Sequence, residues 1–185
     1  MFFNNVAVKT SDKESCTSLF KEQKLSAYIS FSEGWMMLFP EIIDDKDYER
    51  VNTFLQQITG KLQTIGVQAF VHDSDDLYFH LYDKGELVFD YMVDRISNGG
   101  IVIHKGSAET LTKYTQKETP LKEIEKILKL DDYDKYAFVE DRYRDLLALL
   151  GMPKALGNWG YDYINNAQGE EEKFLKEDLS TVEKI

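Results

Sequence analysis

Between residues 72 and 80 the chain gathers carboxylates and imidazoles in one short stretch, His72-Asp73-Ser74-Asp75-Asp76, with a second histidine at His80. Carboxylate oxygens beside an imidazole nitrogen form a donor set for a divalent cation. A metal-binding protein or metal-dependent enzyme using His72, Asp73, Asp75 and Asp76 is therefore one reading. Their spacing departs from the EF-hand loop and from zinc-binding patterns. Asp and Ser are also the residues of tight turns, where short polar side chains bond the nearby backbone. The turn reading takes precedence, and the metal reading stands as the alternative. His80 alternates with apolar residues and is expected to be a hydrogen-bonded strand histidine.

A second cluster is aromatic. Trp159, Tyr161 and Tyr163 alternate with Gly160 and Asp162, after Gly157-Asn158 and before Asn165-Asn166. Aromatic side chains anchor interfaces, so these three are candidate binding residues. The reading that takes precedence packs them in a C-terminal loop over the sheet. Gly99-Gly100 and Gly106-Ser107 precede a helix, and a helix start can hold phosphate. They form neither a P-loop nor G-x-G-x-x-G, and a connector is preferred. The lone Cys16 falls on a core-facing helical position and reads as a buried thiol. Three histidines without a nucleophile elbow suggest no triad, and no cofactor is implied.

The elements that must carry these residues are legible from periodicity. Val6 to Lys9 reads as a strand. Ser11 and Glu14 have capping-box spacing, and Cys16, Leu19 and Phe20 place a helix to about Lys24. Leu25 to Phe31 alternates as a strand, Ser32-Glu33-Gly34 is a turn, and Trp35 to Phe39 is a buried strand. Asp44 or Asp45 caps a helix with Tyr48, Val51, Leu55, Ile58 and Leu62 on one face, ending between Gly60 and Gly66. Three strands follow, Val67–Val71, Leu77–Tyr82 and Leu87–Val93, the last two joined through Asp83-Lys84-Gly85. Ile101 to His104 is a further short strand candidate. Thr119-Pro120 opens a helix through Leu128. Asp131 to Asp134 separates it from a helix carrying Phe138, Leu146, Leu147 and Leu150, with Gly151 as its left-handed stop. Phe174, Leu175 and Leu179 allow a last amphipathic helix.

This order predicts an α+β fold: an antiparallel sheet on a ferredoxin-like βαββαβ core, extended by a β-hairpin. Both early helices lie on one face and bury the alternating apolar positions. The C-terminal helices cover the other face, where Tyr28, Tyr78 and Tyr82 are expected. The predicted organisation is a sheet domain over 1–97, a linker over 98–106, a helical cover over 107–166 packed on the same domain, and an acidic segment over 167–185.

The chain has 185 residues, 43% of them hydrophobic and 13% aromatic. A chain of this size buries roughly 70% of its unfolded surface and needs no disulfide staple. With 22 Lys and Arg against 33 Asp and Glu, the formal net charge is −11. That charge opposes nucleic acid, which rewards clustered basic residues, and suits a basic protein partner. No apolar stretch reaches the ~18 residues of a membrane span, so no membrane partner is expected. One cysteine and an N-terminus without a signal-peptide pattern point to the cytoplasm.

Two stretches carry a resemblance. His72-Asp73-Ser74-Asp75-Asp76-Leu77, then Leu81-Tyr82-Asp83-Lys84-Gly85-Glu86-Leu87, is similar to a hairpin signature of a widespread family of uncharacterised bacterial proteins. Glu140-Asp141-Arg142, Leu146 to Pro153 and Gly160-Tyr161-Asp162-Tyr163 resemble that family's closing helix, Leu-Gly-x-Pro stop and Gly-Tyr-x-Tyr segment. Gly99-Gly100 falls where the family has paired glycines. The resemblance spans about residues 65 to 166 and implies domain organisation without catalytic residues. The leading expectation is a soluble, non-catalytic bacterial protein of immunity or inhibitor type that binds a basic partner. The alternatives are the metal-dependent reading above and small-ligand binding in a cleft near Tyr78, Tyr82 and Trp159.

Overall fold

The computed structural model describes residues 2–42, 45–94, 100–129, 135–179 and 182–185. In chain order these form β1 (Phe2–Lys9), α1 (Lys13–Glu22), β2 (Ala27–Ser32), β3 (Trp35–Pro40), α2 (Asp45–Leu62), β4 (Ile65–His72), β5 (Asp76–Asp83), β6 (Glu86–Asp94) and β7 (Gly100–Lys105). There follow α3 (Ala108–Thr112), α4 (Leu121–Leu128), α5 (Val139–Leu150), a 3-10 turn (Lys154–Gly157), α6 (Tyr161–Asn166), α7 (Glu170–Asp178) and β8 (Glu183–Lys184). The class is α+β. Among the described residues the eight strands make one open antiparallel sheet, in the order β7-β6-β5-β4-β1-β3-β2-β8.

Local chemistry sets the elements. The β2–β3 hairpin turns on Glu33 and Gly34, both at positive φ, and the β5–β6 hairpin on Lys84 and Gly85 in the same way. Paired positive-φ residues match the right-handed twist of the strands they join. Gly85 has a further reason to be glycine: a Cβ there would lie 3.2 Å from the Cα of Gly60 and 3.3 Å from the Gln56 carbonyl oxygen. Helix α2 therefore runs through Gly60 to Leu62, with its backbone against the hairpin. At α1 the cap is Asp12 rather than Ser11. The Asp12 carboxylate accepts from the Ser15 N–H at 2.9 Å, and the Asp12 N–H donates to Thr10. Pro120 takes the N-cap position of α4, so the helix starts at Leu121, one place after the expected start. Gly151 ends α5 in the left-handed conformation, φ 65°.

Both faces of the sheet are buried, by different helices. On one face Cys16 and Phe20 of α1 and Val51, Phe54, Leu55 and Ile58 of α2 pack on Val6, Val8, Ala27, Ile29, Met36 and Leu38. On the other, α3 to α7 pack on Ala7, Met37, Phe39, Val67, Ala69, Leu77, Phe79, Leu81, Phe89 and Tyr91. The strand apolar sets are thus divided. Ala27 and Ile29 meet α1 and α2, whereas Leu77, Phe79 and Leu81 meet the C-terminal helices. Tyr82 packs with the α1/α2 cluster and Tyr28 with the opposite one. This corrects the expectation that one face holds all the alternating apolar positions and the other all three tyrosines. Periodicity fixes which residues share a face within a strand, but it does not orient one strand against another.

The segment 98–106 contains β7, paired on β6 from Asp94↔Gly100 to Asp90↔Lys105. Gly100–Lys105 is sheet edge rather than connector; residues 98 and 99 lie outside the described residues. So do Asp44, and Asp131 to Asp134. The acidic C-terminal segment ends in β8, which covers the β2 edge: the Ile185 N–H donates to the Ala27 carbonyl at 2.9 Å, and the Ala27 N–H to the Ile185 carbonyl at 3.2 Å. Leu175 and Leu179 of this segment are buried. No helix among the described residues is long and apolar enough to cross a membrane.

Candidate functional site

The acidic loop is the three-residue turn between β4 and β5. Asp73 and Ser74 both hold positive φ, and the Asp75 N–H donates to the His72 carbonyl at 3.1 Å. The turn docks on α5, whose N-cap residue Phe138 supplies no side-chain cap. The Ser74 carbonyl accepts the Val139 N–H at 3.1 Å, and the Ser74 hydroxyl donates to Glu140 Oε1 at 2.6 Å. One orphan donor of the helix start is satisfied by the turn's own backbone. His72 lies 3.8 Å from both Asp73 and Asp76, through different ring nitrogens, and the Asp73 side chain is 69% exposed. Among the described residues no three His, Cys, Asp or Glu side chains are arranged to hold a metal ion.

What the hairpin does assemble is a cluster of rings on the α1/α2 side. Register places Phe70 opposite Tyr78, Gln68 opposite His80 and His72 opposite Asp76, then Tyr78 opposite Met92, His80 opposite Asp90 and Asp76 opposite Asp94. The Phe70 and His72 rings are nearly parallel, 3° between planes with centroids 6.5 Å apart. Tyr78 meets Phe70 edge-on at 5.8 Å. Tyr48, from the start of α2, closes on Phe70 at 5.7 Å and on His80 at 6.2 Å. These five rings are half-buried. Carboxylates stand close by: Asp73 on the β4–β5 turn, Asp76 on β5, and Asp90 and Asp94 on the adjoining β6. Half-buried rings beside carboxylates attract cations, by the ring quadrupole and by Coulomb attraction together.

His80 is held from two sides. Its Nε2 lies 3.2 Å from Asp90 Oδ1 and its Nδ1 lies 3.4 Å from the Tyr48 hydroxyl. With Nε2–H donated to Asp90, Nδ1 is left to accept from Tyr48. Burial pulls the imidazole below its ordinary value, His104 adds to that, and Asp90 opposes it. Burial, then Asp76 and Asp94, raises the Tyr78 hydroxyl. Burial and then Asp90 raise Tyr82.

A pH dependence follows from His80. The folded chain prefers the neutral ring, so the unfolded chain takes up the proton first as pH falls. Stability is then full above the ordinary histidine value and declines as pH drops through it. Urea unfolding should therefore show a loss of stability between pH of about 7.5 and about 5.5, before most carboxylates titrate. His80→Gln should flatten that slope. An unchanged slope in the variant would contradict this account of His80.

No family model, curated protein or solved structure matches the chain. The site is accordingly read from its geometry.

The aromatic trio does not form one surface. Trp159 is 9% exposed and belongs to the core, and its carbonyl accepts from Asn5 Nδ2 at 2.7 Å. Tyr161 lies on Tyr28 at 5.3 Å with its hydroxyl 3.2 Å from Ser26 Oγ, under the Lys184 ammonium. Tyr163 is 42% exposed. Trp159 lies in the link between the 3-10 turn and α6, whereas Tyr161 and Tyr163 lie on α6, where residues two apart point to different sides. Tyr78 lies on the α1/α2 side while Trp159 packs on the other, so the sheet itself separates the residues expected to line a ligand cleft. Ser107 caps α3 in a closed capping box with Thr110, which uses the N–H groups a phosphate would need.

Cys16 is fully buried, and its thiol is pushed up to about 12, by burial first and by Asp12 second. Thiolate is the reactive form. Ellman's reagent should leave the native chain unlabelled and titrate one thiol after urea unfolding. Fast labelling of the folded chain would contradict this placement.

Proposed function

We propose that this chain is a non-catalytic protein-binding module of immunity or inhibitor type, which holds a basic partner. A cationic side chain of that partner docks on the ring cluster of β4 and β5. The observation that carries this reading is the juxtaposition of Tyr48, Phe70, His72 and Tyr78 with Asp73, Asp76 and Asp90 on one sheet face. The net charge of −11 supports it, because it steers a basic partner during diffusional encounter. The strand order β4-β1-β3-β2, with α1 and α2 sharing a face, supports a ferredoxin-like core. The docked Asp73-Ser74-Asp75 turn and the Gly151 helix stop are compatible with membership of the bacterial family named above. A buried, reduced Cys16 suits a cytoplasmic setting.

The test uses an oligo-arginine peptide as the cationic probe and an oligo-glutamate peptide as its opposite. Titration followed by amide chemical shifts should move Phe70, His72, Tyr78 and Asp90 with oligo-arginine alone, and the affinity should fall as salt is added. Shifts spread evenly over α4 and α7, leaving the β4–β5 face still, would sink the assignment.

A further inference from the structure

The two edges of the sheet are treated differently. The β2 edge is closed by β8, whereas β7 is the outermost strand on the other side and nothing among the described residues pairs beyond it. Its sequence, Gly100-Ile101-Val102-Ile103-His104-Lys105, is β-branched through the centre. Ile103 is 39% exposed, among the large apolar side chains left in solvent. An edge strand presents a row of unpaired N–H and C=O groups ready to accept another strand. Such strands are usually blunted by proline or by central charges. Here proline is absent, and His104 and Lys105 sit at one end only.

We propose that the occupant of this edge is β7 of a second copy, paired antiparallel about Val102. In that register Val102 faces its own counterpart, Ile101 faces Ile103 of the second copy, and Gly100 faces His104. The pairing is self-complementary, as a two-fold interface requires. Each exposed Ile103 gains an apolar cross-strand neighbour, since directly opposite residues share a face and interact. The charges also match. His104, at the basic end of one strand, lies against Gly100 of the other, whose ladder partner on β6 is Asp94. Gly100 has no side chain to obstruct the approach. The two-fold axis runs perpendicular to the sheet, so both copies present the β4–β5 ring cluster on the same side.

Two copies of net charge −11 repel at long range. Added salt should therefore strengthen the dimer, whereas binding of a basic peptide weakens with salt, so the two proposals fail separately. Analytical ultracentrifugation of the full chain across concentration should show a monomer–dimer equilibrium. Ile103→Lys should raise the dissociation constant about tenfold or more, while Phe174→Lys, at an exposed site on α7, should leave it unchanged. Circular dichroism confirms that each variant is folded. Opposed Cα atoms in an antiparallel ladder are about 4.5–5.5 Å apart, within disulfide reach. Val102→Cys should therefore oxidise to a covalent dimer under conditions in which Phe174→Cys does not. A chain that stays monomeric up to its solubility limit, a dimer indifferent to Ile103→Lys, or equal crosslinking through positions 102 and 174 would each overturn the proposal.

Discussion

Phe79→Ala should lower the unfolding free energy by about 3–5 kcal/mol, the range for removing a fully buried aromatic ring. Phe79 is 0% exposed at the middle of β5 and faces the C-terminal helices. Its cross-strand neighbours are Ala69 and Tyr91, and its ring lies 6.3 Å from that of Tyr143 on α5. Ala69 is too small to fill the space, and Tyr143 is itself buried and held by its helix. The cavity can therefore collapse only if α5 moves, and α5 is latched to the β4–β5 turn through Ser74. Urea unfolding at neutral pH measures the loss. A cost below about 1 kcal/mol would mean that the cover re-forms around the gap and is less tightly packed than described.

Tyr78→Ala combined with Asp90→Asn should weaken oligo-arginine binding by about tenfold to a hundredfold. The range combines a ring–cation contact of about 0.5–2 kcal/mol with the loss of one nearby carboxylate. Tyr78 is half-buried, and its ring stands against Phe70 rather than inside the core. Much of its effect should therefore appear in binding rather than in stability. The comparison variant is Glu171→Gln on the exposed face of α7, which removes the same charge far from the rings. If the two charge changes weaken binding equally, net charge alone governs the interaction. If Asp90→Asn costs several times more, the strand pairing that places Asp90 beside His80 is what the peptide senses.

Much of this face was legible before folding. The period-two pattern put Tyr78, His80 and Tyr82 on one side of β5, and the Lys84-Gly85 turn announced its pairing with β6. From those two facts alone, Asp90 opposite His80 is nearly reachable. It was missed because a bulge between Leu81 and Tyr82 shifts the register, placing Tyr82 opposite Leu87 and Leu81 opposite Phe89. Tyr48 and Phe70 were missed for a different reason. Each looks like ordinary core in its own element, and only the crossing of α2 over β4 brings them together. The alternation of Trp159, Tyr161 and Tyr163 allows a display or a packed loop, and the folded chain divides them: Trp159 precedes α6 and packs in the core, while the helical backbone of α6 turns Tyr161 and Tyr163 apart. The Asp73-Ser74-Asp75 turn was legible as a turn; that its carbonyl would complete a helix start 65 residues later in the chain was not.

Between Phe3 and Val8, strand β1 has no side turned to water. From Phe3 to Val8 every residue is at most 2% exposed, with β3 and β4 along its flanks and helices above and below. Its amide hydrogens can reach solvent only when the whole molecule opens, while those of β7 and β8 need only fraying at the rim. Deuterium uptake along β1 is therefore a clock for global opening, and whatever docks at the rim or on the ring cluster should slow that clock by the free energy with which it binds.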